Sequence, residues 1–363
     1  MGLGYLIGWQ SHDLNTVNLM IYVVSIGTGL FKGNLAGLMG RMFENDDQMD
    51  SAFSVQYSFV NIGAFFGSAI MGAAYLSFFK NGDVYGFRQV FLVCGILVIL
   101  GGVLFTASYG KLHGQGKLPF KFRTDAQGNV IEDTSKTLKK EDVSSDKLTK
   151  KEWNGIWAIC FVSFVSIIFW TFYEQQSGAL PLYAEEHVDM SLAGVTLSSA
   201  HVFTAWNGLL CIFLSLAAAK LWATLAKRPQ GDLTMFQKVA LSFGFLGFSY
   251  TVLIFMELTR GGGEHKASVL WLLFFGILLT VGEICFSPLG NSFVSKVAPK
   301  KYLSLLLGVW ILATFASNKL SGYVQGFIED LGFMTIMVTF AVVSFITMGI
   351  LFLLSKSLNK LVE

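Results

Sequence analysis

Proline is scarce, at five of 363 residues, and charge is scarce too, with Asp, Glu, Lys and Arg together making 14% of the chain. So little charge beside 53% hydrophobic residues leaves far more apolar surface than one soluble core would bury, which places the chain in lipid. Short strand-like alternation is missing as well. The apolar residues, 34 phenylalanines among them, fall in long runs, which makes a β-barrel a poor fit and argues for helices. The four cysteines, Cys94, Cys160, Cys211 and Cys285, lie far apart inside apolar runs and lack metal-type spacing. They read as small buried hydrophobes, and no cofactor or metal is expected. A net charge of +2 gives no reason to invoke nucleic acid. No Ser, His and Asp constellation stands out, so no catalytic residues are expected. Of the five histidines only His201 falls within an apolar run, where a hydrogen bond to a neighbouring helix is the ordinary reading. The stretch GTGLFKGN lacks the terminal Gly-Lys-Ser/Thr and the flanking strand of a phosphate loop.

What is present is a series of runs long enough to span a bilayer. They cover 16 to 40, 52 to 79, 89 to 109, 154 to 183, 193 to 225, 235 to 256, 268 to 295, 303 to 327 and 332 to 355. Unpaired backbone groups are not tolerated in hydrocarbon, so each run reads as a self-satisfied helix. Ahead of them MGLGYLIGW is apolar but too short to cross, and it lacks the basic start of a signal peptide. It reads as the tail of a helix whose beginning is absent. The expectation is an all-α membrane protein with about nine complete transmembrane helices and a partial first one.

Assigning alternate loops to the two sides collects Arg41, the stretch from Lys111 to Lys151, Lys220, Lys227, Arg228, Lys238, Lys296, Lys300, Lys301, Lys356 and Lys360 on one side. The other side holds Lys80, Arg88, Arg260 and Lys266. The Lys- and Arg-rich side should be cytoplasmic, together with the C-terminus. The segment from Gly110 to Glu152 carries ten Lys or Arg and seven Asp or Glu and reads as a solvated cytoplasmic linker. Its second half, SKTLKKEDVSSDKLTKKEW, admits a charged helix or a flexible connector. The division that follows is an incomplete N-terminal bundle over 1–109, a linker over 110–153 and a six-helix bundle over 154–363. Transporters built from two six-helix halves joined by a cytoplasmic linker bind substrate at the midplane between them.

Once the loop charges are assigned, Lys32, Glu174, Glu283 and Lys319 remain within apolar runs. A charge at the centre of a bilayer helix costs about 2.5 to 3.5 kcal/mol on insertion scales, so such residues face a partner or a water-filled cavity. Ser25, Thr28 and Gly29 share the helix face of Lys32. This suits a cation for an anionic substrate group, the competing reading being a structural ion pair. Glu174 has Trp170 one turn before it and Ser177 and Gly178 one turn after. Glu283 has Ser287 one turn on, with Pro288 breaking the helix nearby. Either carboxyl is a proton or cation site, or a neutral group bonded to a neighbouring helix. Lys319 stands near the outer end of its run, where snorkelling explains it. Asn61, Asn207 and Trp310 are the uncharged candidates for a cavity wall, with interhelical bonding or simple packing as the alternatives. Glycines such as Gly27, Gly29 and Gly33, or Gly63, Gly67 and Gly72, read as close helix packing.

GTGLFKGNLAGLMGRMF, DSAFSVQYSFVNIGAFFG, FWTFYEQQSGALPLYA, and GEICFSPLGNSFVSKVAPKKY followed by LGVWILAT together make the chain resemble the proton-dependent oligopeptide transporters, a branch of the major facilitator superfamily. The resemblance covers essentially the whole chain. It implies a major facilitator-type helical bundle of twelve or more helices, and symport of di- and tripeptides with protons through a cavity that opens alternately to each side. It further implies that Lys32 holds the peptide carboxylate and takes part in proton coupling, and that Asn61 and Asn207 bind the peptide backbone and amino end. By the same resemblance Glu174 couples protons to gating, Glu283 faces the peptide amino group and Trp310 lines the pocket. The expected partners are small peptides, protons and the lipid bilayer. The expected location is the inner (plasma) membrane. Gly33, Ser68 and the Gln176–Ser177 pair depart from the family pattern, and the first-helix motif of two acids and an arginine is absent, as a truncated start would explain. The alternatives are transport of another small polar solute by the same architecture, or an inactive fragment or membrane scaffold.

Overall fold

The computed structural model describes residues 1–41, 46–112, 122–124, 130–133, 148–286, 293–294, 297–299 and 302–362. They fold almost wholly into helices, and seven stretches among the described residues are long and apolar enough to cross a membrane. This is the all-α membrane architecture expected from the apolar runs. Contacts divide the chain into two compact units, residues 1–60 with 70–146, and residues 61–69 with 147–363.

The first unit contains α1 (Gly2–Trp9), α2 (Leu14–Arg41), most of α3 (Asp46–Ala73), and α4 (Phe87–Ala107). The short apolar segment at the start is thus a helix, and it packs on α2 and α4. Gly8 permits that approach: a Cβ there would fall 2.3 Å from the sulfur of Met20 and 3.1 Å from the ring of Phe91. Among the glycines read as close packing, Gly27 fits, since a Cβ there would fall 2.4 Å from the Met1 nitrogen, but three others need correction. A Cβ at Gly29, Gly63 or Gly67 would meet open space among the described residues, so close packing is not what these three provide.

In the stretch read as the linker, Phe122–Thr124 (β1) pairs antiparallel with Val130–Asp133 (β2), a pairing the sequence reading did not foresee. The proposed helix over the linker's second half falls mainly on residues outside the described set. Helix α5 (Lys150–Tyr173) starts only at Lys150, where Thr149 and Glu152 form a reciprocal capping box. Each side chain there satisfies a backbone N–H that the helix start would leave unpaired.

Three of the sequence-expected spans are divided differently in the structure. The run 154–183 is not one helix: α5 ends at Tyr173, a tight turn covers Glu174–Gln176, and α6 (Ala179–His187) begins afresh. Pro181 explains the restart. It has no N–H for the Ser177 carbonyl and its ring would clash there, yet it fits the first turn of a new helix. The run 193–225 also starts late. Ser191–Leu192 (β4) and Val195–Thr196 (β5) form a hairpin whose two-residue loop, Ala193 and Gly194, has both φ angles positive, the backbone of a tight turn between antiparallel strands. A wide helical turn over Ala200–Ala205 then leads into α7 (Trp206–Ala226).

The rest of the second unit consists of α8 (Met235–Thr259), α9 (Leu270–Phe286), α10 (Leu303–Ser321), the short α11 (Val324–Leu331), which ends the 303–327 run earlier than expected, and α12 (Phe333–Val362). Helix α8 is the buried centre, packed against α9 and α12, and a second capping box, Thr234 with Gln237, starts it. The hydroxyl of fully buried Tyr250 donates to the Phe172 carbonyl at 2.6 Å. That carbonyl lies in the last turn of α5 and also accepts from a backbone N–H of the cap that follows. Among the cysteines, Cys211 and Cys285 are buried while Cys94 and Cys160 are only half-buried.

A polar clasp closes one end of this unit. Arg260, counted from sequence as a loop charge, has a side chain only 8% exposed. It donates to both carboxylate oxygens of Glu257 at 2.8 Å and to the Tyr183 hydroxyl, which in turn donates to Glu257. His187 Nδ1 lies 3.2 Å from the guanidinium, and the Tyr183 ring stacks on Phe333 with centroids 3.5 Å apart. The clasp joins α6, α8 and α12 beside the parallel pairing of Val188–Asp189 (β3) with Ala267–Ser268 (β6). Removing one partner of such a buried pair strands the other charge, at a cost of about 3 to 5 kcal/mol. Arg260→Ala is therefore expected to lower the thermal unfolding temperature of the solubilised protein clearly, whereas Lys266→Ala, an exposed charge nearby, leaves it unchanged. Equal melting of the two variants would refute the clasp.

Candidate functional site

The break between α5 and α6 decides where Glu174 stands. Because α5 stops at Tyr173, Glu174 occupies a turn at the helix end rather than the middle of a continuous span, and its half-buried side chain borders a cavity. The cavity has a volume of about 290 Å³ and is lined by Trp170, Glu174, Phe286, Trp310, Thr314, Ser317 and Asn318. Its size is at the lower end of small-ligand pockets. Trp310, Thr314 and Ser317 recur at helical spacing and so present one face of α10. The aromatic walls come from Trp170, Phe286 and Trp310, and the polar groups from Glu174 and the Thr, Ser and Asn of α10. Two of the six residues singled out from sequence, Glu174 and Trp310, thus share one cavity.

Glu283 lies one turn before Phe286 on α9 and is half-buried. Its Oε2 accepts from the Tyr173 hydroxyl at 2.6 Å, from Asn207 Nδ2 at 3.0 Å and from the Cys211 thiol at 3.6 Å. The Asn207 amide also reaches Thr280 Oγ1 at 3.0 Å. Donors from α5 and α7 therefore converge on an acid of α9, so the apolar interior around this carboxylate is interrupted by a specific set of polar groups. Tyr173 is next in the chain to Glu174, and through it the Glu283 cluster adjoins the cavity. The sequence-predicted Glu283 and Asn207 are in direct contact.

Asn61 belongs to the stretch 61–69 that groups with this unit. Its backbone carbonyl stands against Gly208, where a Cβ would lie 3.2 Å from that oxygen and 3.0 Å from the Phe65 nitrogen. The absence of a side chain at position 208 is what lets α3 approach α7 next to Asn207. His201 also fastens this stretch, with Nε2 2.9 Å from the Ala69 carbonyl and Nδ1 accepting from the Ser198 N–H at 3.0 Å. It has the interhelical bond expected of it. Lys32 lies on α2, in the other unit, and its side chain falls outside the described residues. Ser287 and Pro288 do as well, and α9 is described as far as Phe286. Lys319 is exposed, with its ammonium 5.4 Å from the ring centroid of Tyr323, apart from the cavity.

Sequence reasoning missed Tyr173, Cys211 and Thr280 around Glu283, and the polar stripe of α10. The stripe was legible: Thr314 and Ser317 follow Trp310 at one-turn spacing. Tyr173 was not, since its bond to Glu283 spans 110 positions in the chain. Among the described residues no group of three or more His, Cys, Asp or Glu is placed to hold a metal ion.

Comparison with known proteins bears on this arrangement. The chain is 25% identical over 379 residues to the uncharacterized transporter YclF of Bacillus subtilis (strain 168), covering 94% of this chain and 74% of that protein. It is likewise 25% identical over 356 residues to dipeptide and tripeptide permease A of Escherichia coli (strain K12), covering 90% and 68%. Among solved structures, the peptide transporter POT in complex with sulfate superposes with a TM-score of 0.84 at 23% identity, over 99% of this chain and 79% of that one. A mutant of the peptide transporter POT in complex with alafosfalin superposes with a TM-score of 0.83 at 24% identity, over 100% and 79%. The fold is thus that of a major facilitator-type helical bundle. The sequence profile of the POT family (PTR2) matches residues 10–138 and 111–343, and with most of its length accounted for in this way the chain belongs to the POT family.

Proposed function

We propose that this protein carries di- and tripeptides across the inner membrane together with protons. The reading is supported above all by Glu283, an acid at membrane depth held by Tyr173 and Asn207 beside a cavity that contains a second acid, Glu174. A zwitterionic peptide offers an ammonium to a carboxylate, and the energy of that pairing in a poorly solvated site repays part of the cost of keeping the acid there. In this scheme Glu283 meets the peptide ammonium, Asn207 and Asn61 bind its backbone, and Trp310 supplies an apolar wall for a side chain. Lys32, from the N-terminal bundle, receives the peptide carboxylate and takes part in proton coupling. Glu174, at the break between α5 and α6, takes and releases the coupled proton as the helix end rearranges. The names of the permease relatives are in keeping with peptide substrates. The driving force is the proton gradient, with no cofactor involved.

The proposal includes the three-part organisation of an N-terminal bundle over 1–109, a linker over 110–153 and a C-terminal bundle over 154–363. The excess of Lys and Arg on one set of loops places the linker and the C-terminus in the cytoplasm.

Two experiments test the scheme in proteoliposomes containing the full chain. An inward proton gradient is expected to drive uptake of labelled dialanine, and Glu283→Gln to reduce it at least tenfold, since one partner of a desolvated charge pair contributes about 2 to 5 kcal/mol. Undiminished uptake by Glu283→Gln would remove the ammonium role. Glu174→Gln is expected to abolish gradient-driven accumulation while sparing peptide exchange at equal pH. Loss of both processes together would remove the coupling role. Wild-type uptake of another polar solute, with dialanine ignored, would replace the peptide reading.

A further inference from the structure

Helix α7 has two unlike faces. Asn207, Gly208 and Cys211 share the inward one, where Asn207 and Cys211 reach Glu283 and Gly208 lies against the Asn61 carbonyl. With about 100° between successive residues, the opposite face carries Phe213, Leu216, Ala217, Lys220 and Thr224. It continues to Lys227, the residue that caps the helix. All six are exposed, Phe213 at 64% and Leu216 at 70%. An apolar strip of this kind on a membrane helix meets lipid, and here it ends in two lysines placed two turns apart.

The bases at this end of the unit are used differently. Lys238 is spent internally: its ammonium lies 2.5 Å from Asp232 and 4.5 Å from the ring centroid of Trp222, which ties the end of α7 to the start of α8. Asp232 is the only acid between Lys220 and Lys238 in the chain. Lys220, Lys227 and Arg228 form no ion pair among the described residues. The helix dipole does not account for Lys220, because its effect is confined to the last turn and α7 runs on to Ala226.

We infer that this outward face of α7 binds an anionic phospholipid, the phosphate held between Lys220 and Lys227 and an acyl chain laid along Leu216 and Phe213. Seven residues of helix rise about 10 Å, whereas the headgroup zone is about 5 to 7 Å deep on each side of a bilayer. The two ammonium groups therefore share the phosphate level by leaning toward each other, Lys220 out of the hydrocarbon and Lys227 back toward it. Thr224 stands between them. Its hydroxyl donates to the Lys220 carbonyl at 2.8 Å and keeps lone pairs for a headgroup hydroxyl. Two cations with no acid on the face suit a lipid whose phosphodiester is its only charge. A zwitterionic lipid brings a cation of its own, which the lysines repel. The face lies on the far side of α7 from Asn207, so the inference does not rest on the peptide reading.

Intact-mass spectrometry of the full-length protein, solubilised with equal amounts of phosphatidylglycerol and phosphatidylcholine, tests this assignment. The wild type should retain phosphatidylglycerol in preference to phosphatidylcholine. The double variant Lys220→Gln, Lys227→Gln should weaken that preference on the order of tenfold, as expected for two lysines at an anionic membrane surface. Lys220→Arg with Lys227→Arg should keep it, and Lys80→Gln, an exposed base of the first unit, should leave it unchanged. Equal retention of the two lipids by the wild type overturns the inference, and so does a preference that the double Gln variant keeps. Loss in the Gln variant that the Arg variant shares also overturns it, since charge is then not the cause. A complex of two chains that the Gln variant reduces to one assigns the face to a second copy and overturns it too. None of these results touches the peptide reading.

Discussion

An ionisable acid inside a membrane has to be given donors by the protein, because lipid supplies none. Glu283 shows how the second unit meets that requirement: a phenol from α5, and an amide and a thiol from α7, close around one carboxylate oxygen of α9. Three helices are tied at one point, and the aromatic ladder of Phe169, Trp170 and Phe286 gives the point its rigidity. The rest of the candidate site follows from this attachment. Tyr173 is the last residue of α5, so the bond to Glu283 anchors that helix end beside Glu174 in the cavity wall.

The termination of α5 is itself a solved problem in backbone satisfaction. A helix that ends at membrane depth leaves carbonyls without donors, and in hydrocarbon each would be costly. Tyr250 donates to Phe172, and the Gln175 side chain donates to Thr171 at 2.8 Å and to Ser321 Oγ at 2.9 Å. The same side chains join α5 to α8 and α10. A break that lets an acid face a cavity is therefore held by groups that also pack the unit, which is the form irregular backbone takes inside membranes, buried in protein or facing water.

Much of this was legible in the chain and some was not. Apolar run length located the spanning helices, because backbone hydrogen bonding in lipid admits few solutions. Subtracting the loop charges singled out Glu174 and Glu283, because a charge at depth is too expensive to be incidental. The breaks were read less well: 154–183 looked continuous, although Pro181 signalled a restart, and Ala193–Gly194 concealed a hairpin inside an apolar stretch. Arg260 does stand in the turn after α8, as a loop charge would, but its burial was not legible. It opens the loop-like run Arg-Gly-Gly-Gly after Thr259, yet contact with Tyr183 and His187 from α6 buries the guanidinium, and sequence distance hides that contact. The small-residue pattern at Gly29, Gly63 and Gly67 also misled, since spacing shows which residues share a face and not what lies opposite.

Sequence by itself determined that the protein lives in lipid, that it is helical, which family it resembles and which acids are too deep to be surface charges. These are consequences of composition and local periodicity, properties each segment carries alone. Tertiary structure decided that Tyr173 and Asn207 bond to Glu283, that Glu174 and Trp310 share a cavity, and that Arg260 is buried in a clasp. Each of these joins side chains from helices far apart in the chain, and the energies that select them, desolvation and directed hydrogen bonding, exist only once the helices have packed.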